Sequence, residues 1–156
     1  MPAKPYIVQY FRKVYGIPCQ FPKKSFFNLL IGKFLMPQPG TTTGAKQIIE
    51  RTHSAQWLKI SLPHFENKDI RTYNHLSNTG TEAISRELRN EFYLALMSYV
   101  RKFLRTEFTR RKEPFVNTAI RLFIEQYELD FDCYATLVKQ YQRTESTKSR
   151  KKIFSF

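Results

Sequence analysis

The chain is short of acidic residues, and the shortage is uneven along its length. Lysine and arginine number 26 against 13 aspartates and glutamates, which gives a net charge of +13. Residues 1–49 hold seven basic side chains and no acid, and residues 131–156 hold six against two. Charge of this size is relieved by an anionic partner. Since phosphate backbones bind basic surfaces by releasing counterions, we expect the partner to be nucleic acid.

Cysteine, histidine and glycine are also scarce, and their scarcity excludes several kinds of site. The sequence has two cysteines, Cys19 and Cys133, and three scattered histidines, so the paired spacings of a zinc site do not occur. Its five glycines form no GxxxxGK[ST] phosphate-binding loop. We therefore predict neither a metal nor a cofactor. Two distant thiols are typical of a protein kept in a reducing compartment.

Long apolar runs are missing as well. A membrane span needs roughly 18 consecutive apolar residues, and Gly32 and Lys33 interrupt the best candidate, FFNLLIGKFL. The first residues, MPAKPYIVQYFRK, lack the apolar core of a secretory signal. We therefore expect a cytoplasmic protein that does not have a membrane as its partner.

Apolar residues are nevertheless plentiful, and most of them recur at helical spacing. Stripes at intervals of three and four residues predict about five helices. The alternation in QWLKISL predicts one short strand or hairpin near residues 56–62. Because 156 residues are most simply one domain, we expect a single, mainly α domain that ends in a helix-turn-helix-like pair.

Composition divides this domain into four segments. Residues 1–36 are predicted to form an N-terminal helical pair, and residues 37–46, rich in Pro, Gly and Thr, a loop. Residues 47–145 are the main helical body with the C-terminal helical pair. Residues 146–156 form a basic tail with little structure-forming signal.

Several residues are predicted to begin or end these helices. Gly16 is expected to stop the first helix, and Ser25 to cap the second. Thr79 and Glu82 have the spacing of a capping box, so the longest helix is expected to begin there and to continue to about residue 110.

The C-terminal pair carries the most specific functional hypothesis. Two amphipathic runs in NTAIRLFIEQYELDFDCYATLVKQYQR meet at a short ELDFD turn. In the second run, apolar residues share one face, and Lys139, Gln142 and Arg143 lie opposite. Gln and Arg are suited to adenine and guanine edges in the major groove. An ordinary packed helical pair would show the same stripes, and the turn lacks the glycine that is common in this motif, so both interpretations stay open.

Two further basic clusters are candidates for phosphate contact. One is in the tail, at Lys148, Arg150, Lys151 and Lys152, and the other is Arg110, Arg111 and Lys112. A solvated terminus would explain the first cluster equally well. Cations that favour a helix C-terminus would explain the second.

Enzymatic and stacking roles have weaker support. RTYNHLS, in a polar stretch expected to be irregular, brings together Arg71, Tyr73 and His75, but residue types alone do not define a catalytic site. We therefore expect no enzyme. Trp57 and Tyr73 are the aromatics most expected to be exposed, where they would stack on unpaired bases.

The predicted function is non-enzymatic binding of DNA, with double-stranded DNA favoured. The short, basic, helical layout resembles small regulatory or accessory proteins of phages and mobile elements, in general style and without a shared motif. The long helix around residues 81–110 is expected to organise either the core or the interface of a homodimer. The alternatives are an RNA- or ribonucleoprotein-binding protein, and a structural or protein-interaction module that does not bind nucleic acid.

Overall fold

The computed structural model describes residues 2–37, 56–62, 64–69, 71–106 and 112–153, without the side chains of 112–114 and 147–153. Its helices are α1 (Pro5–Tyr15), α2 (Phe26–Phe34), α3 (Asn78–Thr106), α4 (Lys112–Gln126) and α5 (Tyr134–Ile153). Its strands are β1 (Pro2–Ala3), β2 (Leu35–Pro37), β3 (Gln56–Trp57) and β4 (Tyr73–Leu76). The prediction of a mainly α fold is confirmed. Within the described ranges, no helix is both long and apolar enough to cross a bilayer.

The chain divides into two compact units, Met1–Asn90 and Glu91–Phe156, so that the boundary falls inside α3. Each unit has its own aromatic cluster around a buried phenylalanine, Phe11 in the first and Phe123 in the second. The four segments predicted from composition stay a prediction.

The first unit is built around phenylalanine rings from α1, α2 and the connector between them. The Phe11 ring lies 5.9 Å from that of Phe27 and 6.3 Å from that of Phe21. Asn28 is the one buried polar residue among those described, and its Nδ2 donates to the carbonyls of Phe21 and Pro22, each at 2.9 Å. These bonds fix the connector against α2.

The predicted strand near residues 56–62 is present, and it has two partners. β3 pairs with β1 in antiparallel register, Pro2 opposite Trp57. Further along, the Cys19 N–H donates to the Lys59 carbonyl at 2.9 Å, and the Ser61 N–H donates to the Cys19 carbonyl at 3.0 Å. Because β1 is only two residues long, it shows no alternation of apolar and polar side chains, and the sequence therefore did not predict it.

A second small sheet was missed altogether. β4 lies within RTYNHLS, which we had expected to be irregular, and it pairs antiparallel with β2, Leu35 opposite Leu76. The predicted loop at 37–46 therefore begins inside β2, and its residues 38–46 lie outside the described part of the chain. Lys68 ties this sheet to α2, because its Nζ donates to the Gly32 and Leu35 carbonyls at 2.6 and 2.9 Å.

The predicted helix ends are partly right. Gly16 follows α1 with a φ of 81°, and the Ser25 hydroxyl accepts the Asn28 N–H at 3.3 Å, so both of these predictions are confirmed. The capping box at Thr79 is wrong. Ser77 caps α3, since its hydroxyl accepts the Gly80 N–H at 3.0 Å. Gly80 also passes so close to Phe34 that a Cβ there would lie 2.4 Å from the Phe34 Cβ.

The second unit packs α4 and α5 with the C-terminal part of α3. Phe123 of α4 is fully buried, and its ring meets those of Phe92, Tyr99 and Tyr127. Leu137 of α5 is fully buried as well. These contacts hold α5 by one side, so that its other side is free to carry the residues of the candidate site.

Candidate nucleic-acid interface

Helix α5 has one packed face and one exposed face, as its sequence predicted. Leu137 is fully buried, and Val138 and Tyr141 are partly buried. Lys139, Gln142 and Arg143 are all exposed. The three residues proposed to approach bases are therefore accessible along one side of a single helix.

Glu145, an acidic residue of α5, pairs with a cation of α3. From Tyr134 to Ser146 the sequence has one acid, Glu145, and its carboxylate accepts a hydrogen bond from Arg101 of α3 at 3.0 Å. Both side chains are nearly half exposed, so the pair adds little stability. It does, however, offset the Glu145 charge, which leaves the exposed side of α5 basic.

Tyr141 adds no negative charge to this surface. Burial raises the pKa of its phenol, Glu145 raises it further, and Arg101 opposes the change. The phenol is therefore protonated throughout the physiological pH range. Between Tyr134 and Ser146, the positive charges of α5 are those of Lys139 and Arg143.

The connection between α4 and α5 differs from the short turn expected of a helix-turn-helix. It covers residues 127–133 and contains a 3-10 turn at Phe131–Cys133. That is about twice the three or four residues of the motif's turn. The expected short turn is thus corrected to a longer connection, which extends beyond ELDFD to Tyr127 on one side and Cys133 on the other.

Helix α4 ends in a Schellman motif that has no glycine. Glu128 takes a left-handed conformation with a φ of 52°. The Leu129 N–H donates to the Ile124 carbonyl at 2.9 Å, and the Glu128 N–H donates to the Glu125 carbonyl at 3.1 Å. Both Leu129 and Ile124 are buried, which supplies the apolar contact of this motif. The turn direction is therefore set by burial of Leu129, at the cost of backbone strain in Glu128.

Glu128→Gly is expected to stabilise the protein by roughly 0.5–1 kcal/mol. A left-handed conformation costs an L-residue roughly 1–2 kcal/mol, and the greater backbone entropy that glycine loses on folding offsets part of that gain. Chemical denaturation measures the change. The matched control is Glu125→Gly, at a right-handed helical position in the last turn of α4, which should lose about 1 kcal/mol. An equal loss at both positions would contradict a left-handed Glu128.

The two basic clusters are placed only in part. Lys112 is the first residue of α4, while Arg110 and Arg111 lie outside the described residues. Helix α5 continues to Ile153, so the backbone is helical at the four tail cations, which are Lys148, Arg150, Lys151 and Lys152. We had expected little structure after residue 145. Lys and Arg are good helix formers, and the helix simply continues through them.

Three exposed cations of α3 were not among the predicted site residues. Arg101, Lys102 and Arg105 are all exposed near the end of the helix. Their signal was present in the sequence, because Lys102 and Arg105 are spaced to share a helix face.

The remaining candidates fall in the first unit. Trp57 is 42% exposed, as predicted, and lines a cavity of about 420 Å³ together with Asn74 and His75 of β4. Tyr73 is partly buried, with the Lys68 Nζ 5.5 Å from its ring centre. Asn74 donates to the Arg71 carbonyl at 3.3 Å, a contact that shapes the turn before β4. RTYNHLS thus has a clear structural role as a strand.

The cysteines are poorly suited to nucleophilic chemistry. Both are buried. Burial, reinforced by Asp130, raises the pKa of the Cys133 thiol to about 11, and burial also raises that of Cys19. A thiol reacts as its thiolate, so both groups are largely inert near neutral pH. Within the described ranges, no cluster of three His, Cys, Asp or Glu residues is placed to hold a metal ion.

Comparison of the chain with protein-family models, with curated proteins and with solved structures finds no match. The function is therefore argued from the side chains that the fold exposes. The strongest of these features are the basic side of α5 and the cations near the end of α3.

Proposed function

We propose that the protein binds nucleic acid without enzymatic activity, and that the exposed side of α5 contacts double-stranded DNA. The observation that carries the proposal is the exposure of Lys139, Gln142 and Arg143 on one side of α5, where the one acid between Tyr134 and Ser146, Glu145, is paired with Arg101. A small regulator or accessory factor is the role that fits such a chain.

The dimensions of α5 are compatible with the major groove. The helix has 20 residues, which corresponds to a length of about 30 Å. The major groove is roughly 12 Å wide and admits one α-helix. In this proposal Gln142 and Arg143 approach base edges, since both offer hydrogen bonds that distinguish adenine and guanine. The longer connection before α5 means that the proposal does not depend on helix-turn-helix geometry.

Phosphate contacts would surround this helix. The four tail cations follow one another along α5. Arg110 and Arg111 precede α4 in the sequence, and Lys112 is its first residue. Each phosphate that a cation neutralises adds to affinity and makes binding more sensitive to salt. Homodimerisation through α3 stays a prediction, and sedimentation of the free and DNA-bound protein would measure it.

The test is fluorescence anisotropy with duplex DNA, single-stranded DNA and structured RNA over a series of salt concentrations. We expect the logarithm of the association constant to fall linearly with the logarithm of salt concentration, and duplex DNA to bind best. Absence of binding to all three at low salt would refute nucleic-acid binding. Tighter binding of RNA would support the alternative reading, and cleavage of the DNA in the presence of divalent metal would contradict a non-enzymatic role.

A further inference from the structure

A groove in the second unit combines aromatic walls with polar and cationic groups. It lies between α3 and the C-terminal end of α4, with a volume of about 480 Å³. Pockets that hold small organic groups measure roughly 300–1,000 Å³. Six of its lining residues bear on its chemistry: Ser98, Tyr99, Lys102, Phe103, Gln126 and Tyr127.

The aromatic walls are held in place by the core beneath them. The ring centres of Tyr99 and Tyr127 lie 5.4 and 4.7 Å from that of the fully buried Phe123. Both tyrosines are themselves only partly buried, so part of each side chain faces the groove. Aromatic surfaces fixed in this way can stack on a flat ligand with little further loss of conformational freedom.

The charges around the groove give it two unlike ends. Lys102 is exposed in its wall, and Arg105 follows on the same face of α3. At the other end α4 terminates, where its carbonyl groups carry partial negative charge. Glu125 adds to that charge: the pKa of Tyr99 is raised chiefly by burial, and then by Tyr127 and Glu125.

This polarity matches a nucleotide better than a simple ion. A phosphate group is attracted to Lys102 and Arg105 and repelled by the end of α4. The N–H groups of a base are attracted to that end, where the Gln126 amide can also exchange hydrogen bonds with a base edge. An anion would fit one end of the groove and a cation the other, whereas a base with its phosphate fits both.

We infer that this groove binds an unpaired nucleobase of single-stranded nucleic acid, stacked on its aromatic wall, with the adjoining phosphate at Lys102 and Arg105. The inference rests on the proposed nucleic-acid binding and adds to it a second site, separate from the exposed side of α5, that takes an unpaired base. Stacking on aromatic side chains is tolerant of sequence, because every base presents a flat π-face. DNA and RNA strands share this chemistry.

The test compares oligothymidylate with an oligomer of abasic sites of equal length, about 12 nucleotides. Both carry the same phosphates, so binding by charge alone would be equal. We expect oligothymidylate to bind about tenfold more tightly, the effect of one stacked base. Oligodeoxyuridylate and oligouridylate differ only in the 2′-hydroxyl, so a parallel titration of these two strands separates DNA from RNA as the source of the base.

The variant Ser98→Leu tests whether the preference for oligothymidylate over the abasic oligomer arises in the groove. Ser98 is exposed in α3, where leucine is a good helix former, and the larger side chain would occupy the space of the base. The variant should bind oligothymidylate only as tightly as the abasic oligomer. Asn117→Leu, on an exposed position of α4 away from the groove lining, is the matched control and should keep the tenfold preference. Gln126→Leu obstructs the groove from the other helix and replaces Ser98→Leu if that variant unfolds.

The outcomes separate this inference from the proposed function. If the unaltered protein binds oligothymidylate and the abasic oligomer equally, base binding in the groove is refuted, while phosphate binding is not. A preference that survives both groove variants would place base stacking elsewhere, with Trp57 the next candidate. Absence of binding to every oligomer would overturn this inference alone, and absence of binding to duplex DNA as well at low salt would refute both proposals.

Discussion

Phe123→Ala is expected to lower the free energy of unfolding by about 3–5 kcal/mol. Phe123 is fully buried, and its ring contacts Phe92, Tyr99 and Tyr127 from α3 and the end of α4. Truncation removes the apolar contacts and leaves a cavity that these rings can fill only in part. Since most domains are stable by only about 5–15 kcal/mol, the loss would be a large share of the total.

Urea unfolding followed by circular dichroism measures the effect as a lower midpoint at unchanged slope. The control is Phe131→Ala, the same chemical change in the same unit at a side chain that is 57% exposed. The Phe131 ring stacks on Tyr134, at 5.3 Å between ring centres, so a loss below about 1 kcal/mol is expected. Equal losses at the two positions would show that Phe123 is not at the centre of this core.

Reversal of two charges on α5 is expected to have an effect of similar size on binding. The double change Lys139→Glu and Arg143→Glu should weaken binding to duplex DNA by about 1,000-fold at low salt. Two cations that face the DNA are lost and two repulsive charges are introduced, while the fold is retained because both side chains are exposed. The salt dependence should also become shallower, since fewer cations displace counterions from the DNA.

The control for this experiment changes net charge by the same amount elsewhere. Lys23→Glu and Lys24→Glu alter two exposed lysines of the first unit. If binding depends on the α5 surface, this pair should retain most of the affinity. If both pairs weaken binding equally, the protein binds DNA through its overall charge, and α5 has no special part in it.

Local periodicity made much of this structure predictable. The helices follow stripes at intervals of three and four residues, and the division of α5 into a face with Leu137 and a face with Lys139 follows from the same pattern. Gly16 and Ser25 were predicted because stop and cap signals act within one helical turn. The exposure of the candidate DNA-contacting residues was predictable for the same reason, since burial of one helical stripe exposes the opposite one.

Contacts between distant residues were not predictable in this way. β4 forms because Leu76 pairs with Leu35, and the start of α3 is constrained because Gly80 passes against Phe34. The groove likewise requires Tyr99 and Tyr127, from two different helices, to meet over Phe123. The two residues of each such contact lie far apart in the sequence, so no short stretch contains both.

The sequence by itself therefore determined the basic charge, the helices and the residues on the outer side of α5. The tertiary structure decided the two small sheets, the division into two units, the left-handed turn at Glu128 and the aromatic groove. The physical reason is that helical stripes and caps depend on neighbours within a few positions of the chain. Strand pairing, close backbone approach and pockets depend on which distant side chains the core brings together.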